Sequence, residues 1–124
     1  MKIIICCSVR FHDQIVETMK KMEKVGITPL FPNFDLEASN RDQAIDADHK
    51  LRLALEHYAA VEDADAAYFL LPGGYMGSSV KIELGYTLAC KKPVYFSEPT
   101  GDVDIDCYAK AMVSPDQLEF LLHE

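Results

Sequence analysis

The sequence predicts an α/β domain whose parallel sheet is covered by helices on both faces. Three observations carry that prediction. Short apolar runs read as strands buried on both sides, apolar residues at helical spacing fill the intervals between them, and glycine or proline stands at most junctions. With 124 residues, 49% apolar and 26% charged, the chain is expected to form one domain over residues 1–124. That length is enough to build a core without a disulfide or metal staple.

Each element follows in order. Lys2 to Cys7 is a continuous branched run, the first strand. Ile15, Met19, Met22 and Val25 recur at helical spacing, and Gly26 is a natural stop. Ile27 to Phe31 is a short second strand closed by Pro32. Asn33 to Arg41 lacks periodicity and reads as a loop over one sheet edge. A second helix begins near Asp42, where Leu51, Ala54, Leu55, Tyr58 and Val61 recur at amphipathic helical spacing. Ala66 to Leu71 is the third strand, cut off by Pro72-Gly73-Gly74. A third helix covers about Ser79 to Cys90, and Pro93 to Phe96 forms the fourth strand. A fifth lies within Cys107 to Val113. Ser114-Pro115-Asp116-Gln117 opens a last helix, with serine as cap and proline first. The order β-α-β-α-β-α-β-β-α implies a Rossmann-like doubly wound sheet of about five mostly parallel strands.

Composition narrows the partners. A net charge of −8 and a pI near 4.9 argue against polymeric nucleic acid, which needs a basic face. One phosphate can still be held by backbone amides at a helix start. The apolar opening Ile3 to Cys7 is too short to span a membrane, and Arg10, His12 and Asp13 end it before an export-type core forms. Cys6 and Cys7 are adjacent, and Cys90 and Cys107 sit in unrelated segments, which fits reduced thiols in a cytoplasmic protein. No C-x-x-C or paired-histidine spacing is present, so no metal site and no cofactor are expected. Asp102, Asp104 and Asp106 alternate like a calcium loop but lack its glycine and terminal glutamate, and read as a solvated acidic loop.

Doubly wound sheets bind ligands at the carboxyl ends of their strands, and two such ends are unusual here. Cys7-Ser8-Val9-Arg10 follows the first strand. After the third comes Pro72-Gly73-Gly74-Tyr75-Met76-Gly77-Ser78-Ser79, whose glycines and serines offer close backbone approach and hydrogen-bond donors at a helix start. It is neither a Walker loop nor G-x-G-x-x-G. Glu83 lies four residues past Ser79 on a helix otherwise small and apolar, which is expected to be buried all round. Its carboxylate must meet either a structural partner or a cavity, where it would serve as a nucleophile toward a developing oxocarbenium ion. Tyr75 and Tyr95 flank the pocket, where each either stacks on a base or packs as core or rim. His49 and His57 share the second helix.

These residues carry a resemblance. Cys7-Ser8-Val9-Arg10, Ala64-Asp65, Gly77-Ser78-Ser79 with Glu83-Leu84-Gly85-Tyr86, and Lys92-Pro93-Val94 together resemble the nucleoside 2-deoxyribosyltransferase superfamily over roughly residues 2–97. The resemblance implies that Glu83 attacks the anomeric carbon of a 2-deoxyribosyl donor. Ser8 and Arg10 match the first loop. Ser78 and Ser79 match the turn that holds phosphate in the nucleoside 5-monophosphate N-hydrolase branch, with Gly74, Tyr75 and Gly77 beside them. A homodimer or higher homo-oligomer is implied as well. Three departures stand out: Gly77 replaces an acid six positions before the nucleophile, His57 stands where relatives place another acid, and Cys7 replaces a loop glycine. The proton for the leaving base would then fall to His57, Asp63 or Asp65. Pro72-Gly73-Gly74 with Gly77, Ser78 and Glu83 is also similar, at stretched spacing, to the P-G-G-x-G-T-x-x-E signature of cytokinin-activating phosphoribohydrolases.

The expected function is cleavage or transfer of the N-glycosidic bond of a 2-deoxynucleoside or its 5-monophosphate. The alternatives are a phosphoribohydrolase acting on nucleoside 5-monophosphates and a non-catalytic nucleotide-binding or sensor domain of the same fold.

Overall fold

The computed structural model describes residues 1–34 and 46–123. The loop expected over 33–41 falls mainly outside these residues, as does the expected helix start at Asp42. The described chain forms a five-stranded, wholly parallel sheet ordered β2-β1-β3-β4-β5, from β1 (Lys2–Cys6), β2 (Thr28–Leu30), β3 (Ala66–Phe69), β4 (Val94–Phe96) and β5 (Ala111–Met112). The central pair is in register from Ile3 opposite Ala66 to Cys6 opposite Phe69. Helices α1 (His12–Lys24), α2 (Ala47–Asp63) and α3 (Ser78–Ala89) fill the crossovers. Gly26 adopts φ +90° just past α1 and donates to the Glu23 carbonyl, a left-handed stop that suits glycine.

Alternation along the strands divides the core. Ile3, Ile5 and Cys7 face Ile15 and Met22 of α1 together with Leu118 and Leu121 near the end of the described chain. Ile4 and Cys6 face the other way, onto Val61 of α2 and Val80 and Leu84 of α3. Because both faces of the sheet's centre are covered, β1, β3 and β4 are buried along nearly their whole length without a polar phase, as their sequences suggest.

Three expectations change. Helix α3 is not buried all round: Val80, Leu84 and Thr87 are, but Ile82 is 60% exposed and Gly85 and Ala89 face outward. The segment after Ser114 is a 3-10 helix, Pro115–His123, kinked at Gln117, rather than an α-helix. The acidic stretch is partly ordered as a helical turn, α4 (Val103–Asp106), capped by Asp102. Asp106 accepts from the Thr100 amide at 2.9 Å, the Thr100 hydroxyl at 2.7 Å and the Gly101 amide at 3.0 Å. Hydrogen bonds from the Thr100 backbone and hydroxyl and from the Gly101 backbone hold its carboxyl below the usual carboxylate range.

Candidate active site

The strand order places the topological switch between β1 and β3. The chain leaves β1 toward α1 on one face and leaves β3 toward α3 on the other, so a crevice opens where the two loops part. A cavity of about 420 Å³ occupies that position. Cys7, Ser8 and Val9 line it from the end of β1, and Tyr75, Gly77, Ser78, Ser79 and Val80 from the turn into α3. Glu83 comes from the second turn of α3, and Lys50, Leu53, Ala54 and His57 from α2, with Phe31 and Pro32 closing the side past β2. The volume falls within the usual range for a small-molecule site.

The sequence-predicted residues divide sharply. Ser8, Tyr75, Gly77, Ser78, Ser79, His57 and Glu83 all meet at the cavity. Arg10 does not line it; its guanidinium carbon lies 4.5 Å from the centre of the Tyr75 ring, which it covers from outside. Gly74 turns toward the Pro99-Thr100 loop, where a Cβ would stand 2.7 Å from the Pro99 carbonyl oxygen, so the glycine serves a close backbone approach rather than a ligand. Asp65 sits at the amino end of β3, where its carboxylate accepts from the Lys2 amide at 2.7 Å. Asp63 pairs with the Lys2 ammonium at 2.9 Å. Both lie at the opposite edge of the sheet from the cavity, and neither is placed to protonate a leaving base.

Lys50 and Leu53 line the cavity without having been singled out in the sequence, yet they carry a visible signal. With Ala54 and His57 they are spaced i, i+3, i+4 and i+7, one face of α2. Gly77 has its own explanation: a Cβ there would meet the Tyr75 hydroxyl at 3.1 Å and its ring at 3.4 Å, so the Tyr75 side chain takes the space an acid at this position would need.

The floor of the cavity is a compact polar cluster. His57 Nε2 lies 3.5 Å from Cys6 Sγ and 3.5 Å from Glu83 Oε1. Glu83 Oε1 is buried without a conventional hydrogen-bond partner. Burial raises the Glu83 carboxyl to about 7, against the opposing pull of Lys50 and the Cys6 thiol. Burial, reinforced by Lys50, lowers the His57 imidazole to about 4, so the ring is neutral near pH 7. The Cys6 thiol is pushed well up by burial and by Glu83, and Cys7 to about 12 by the same two causes. Above the cluster, the first turn of α3 is capped by Gly77 with no side-chain hydrogen bond, so its amides are open to an anion. All four cysteines are free.

No protein-family model matches the chain, and no curated protein matches it in sequence. Solved structures do match, and they define the class of fold. A 2-deoxyribosyltransferase from Bacillus psychrosaccharolyticus aligns over 96% of this chain and 90% of its own, at 16% identity and a TM-score of 0.67. A conserved protein from Enterococcus faecalis V583 aligns over 98% of both chains with the same identity and score. The CMP N-glycosidase BcmB of Clostridium botulinum aligns over 99% of this chain and 98% of its own, at 11% identity and a TM-score of 0.56. The chain thus shares its fold with these proteins over nearly its whole length. Among the described residues no helix is long and apolar enough to cross a membrane.

Proposed function

We propose that this protein cleaves or transfers the N-glycosidic bond of a 2-deoxynucleoside or its 5-monophosphate, with Glu83 as nucleophile. One observation carries the reading. A carboxylate is held at the floor of a cavity, buried, short of hydrogen-bond partners and poised near neutrality, beneath a helix start whose amides and hydroxyls suit a sugar or phosphate. The fold it shares with a deoxyribosyltransferase and a CMP N-glycosidase supports the same bond as the target.

In the first step the ionised Glu83 oxygen bonds to C1 of the sugar as the C1–N bond breaks, and the electron pair leaves on the base nitrogen. In the second, water or another base attacks C1 and releases Glu83. Ser78, Ser79 and the amides of the α3 start bind the sugar or its phosphate, with Ser8 and Lys50 opposite. Tyr75, rimmed by Arg10, meets the base. His57 is a positioning residue: neutral, and turned toward Glu83 rather than toward the rim, it orients the carboxylate. No described carboxylate other than Glu83 lines the cavity. The departing base therefore draws its proton from solvent at the cavity mouth.

Assay against a panel of deoxynucleosides and their monophosphates, with and without acceptor bases, tests the reading. Free base should appear, and Glu83→Ala should abolish it. Because the departing nitrogen has no dedicated acid, a 7-methylpurine deoxynucleotide, which leaves as a neutral base, should turn over at least tenfold faster than its unmethylated parent. The absence of a second acid favours one alternative, a nucleotide-binding or sensor domain. Calorimetry showing ligand binding with no base released from any substrate would select it.

A further inference from the structure

The same cluster carries a second chemistry that the spacing of the sequence conceals. Cys6 Sγ, His57 Nε2 and a Glu83 carboxylate oxygen all lie within 4.8 Å of one another, although they come from β1, α2 and α3. Thiolate, imidazole and carboxylate are the three ligand types of zinc, and a tetrahedral zinc with bonds of about 2.0–2.3 Å spaces its ligand atoms about 3.3–3.7 Å apart. The two measured separations, 3.5 Å from sulfur to imidazole nitrogen and 3.5 Å from nitrogen to carboxylate oxygen, already have that span. We propose that Cys6, His57 and Glu83 form a three-ligand site for zinc, with its fourth position open to the cavity, and that the metal excludes substrate by occupying Glu83.

Charge favours the assignment. A zinc dication with one thiolate and one carboxylate makes a neutral unit, whereas the buried carboxylate alone has only the pull of Lys50 and the Cys6 thiol to offset its burial. Binding releases the Cys6 proton to solvent, together with the Glu83 proton where that group is protonated, and His57 is already in the neutral form that a metal requires. The ligands stand on a central strand and two packed helices, so little ordering is needed. Three protein ligands and one open position are the pattern of accessible rather than structural zinc.

Metal binding stands on the three side chains alone; only the exclusion of substrate rests on the proposed function. Cobalt is the probe. Titrated into reduced, chelator-treated protein, Co²⁺ should give a near-ultraviolet thiolate-to-cobalt charge-transfer band together with the visible bands of a four-coordinate ion, and Zn²⁺ should displace it. Cys6→Ser should remove the charge-transfer band and weaken zinc binding at least tenfold, and His57→Ala should weaken it comparably. Cys107→Ser, at an exposed thiol outside the cluster, should change neither. Circular dichroism checks that each variant folds. The site is overturned if folded wild-type protein gives no charge-transfer band, or if the band survives Cys6→Ser or disappears with Cys107→Ser. If glycosidic cleavage is never observed but the cobalt spectrum appears, the proposed reaction fails and the metal site stands. If cleavage is observed and zinc inhibits it competitively with the deoxynucleotide, the exclusion is supported; undiminished cleavage with zinc bound overturns it.

Discussion

Glu83 sets function against stability. Its carboxyl titrates near 7 in the folded chain and near 4.5 when unperturbed, so between those values the folded protein binds more protons than the unfolded one. Stability therefore falls as pH rises from about 4.5 to about 7. His57 runs the other way: with its pKa lowered from 6.5 to about 4, it makes stability rise with pH between about 4 and 6.5. Replacing Glu83 by glutamine isolates the first effect. At pH 8 the variant should be more stable than wild type by up to about 3 kcal/mol, and near pH 5 the gain should be small. Thermal melts of both proteins in chelator at the two pH values check this; a gain independent of pH would contradict it. The same variant should lose all turnover of any active substrate. In metal-free wild type the rate should climb with pH through about 7 and then level off, as the carboxylate forms.

At the scale of elements, the loop after β3 and the start of α3 hold the decisive constraints. Gly74 has φ +79° and no room for a Cβ against the Pro99 carbonyl. Gly74→Ala should destabilise the protein by more than about 1 kcal/mol and displace the turn that carries Tyr75, read as a lower melting temperature with weaker ligand binding. Gly85, in the body of α3 with nothing near its Cβ position, should behave oppositely. Gly85→Ala should stabilise by about 0.5–1 kcal/mol, because the position is exposed and a methyl group meets nothing there. How far the elements were legible follows from the same contrast. Strand identities followed from branched apolar runs, and the α1 stop from Gly26. The exposed side of α3 did not, because a helix of small and apolar residues looks the same in sequence whether its outer face meets solvent or a partner.

On the scale of the whole molecule, that outer face bears on assembly. Leu51 and Leu55 on α2 and Ile82 on α3 are each more than half exposed. We propose that these side chains contribute to the homo-oligomer that the resemblance implies. Ile82→Glu should shift the protein from dimer to monomer in sedimentation or light scattering; a wild-type monomer at micromolar concentration would remove the expectation. The net charge of −8 argues against polymeric nucleic acid as a partner, whereas Lys50 lines the cavity beside the amides of the α3 start, an arrangement suited to one phosphate.

The sequence by itself determined the alternation of strands and helices, hence the parallel sheet and the crevice at its carboxyl edge, because periodicity and junction residues are local signals. It also singled out Glu83, since a lone acid on an apolar helix stands out wherever the helix packs. Only the tertiary structure decided which partners that acid meets. Asp65, eighteen positions before it, lies at the wrong end of its strand, while Cys6 and His57, from other elements, stand beside it. The physical reason is that a strand's two ends lie a strand's length apart on opposite edges of the sheet, whereas crossover connections bring distant segments to one edge. Chemistry at that edge depends on distances of a few ångströms that no spacing along the chain records.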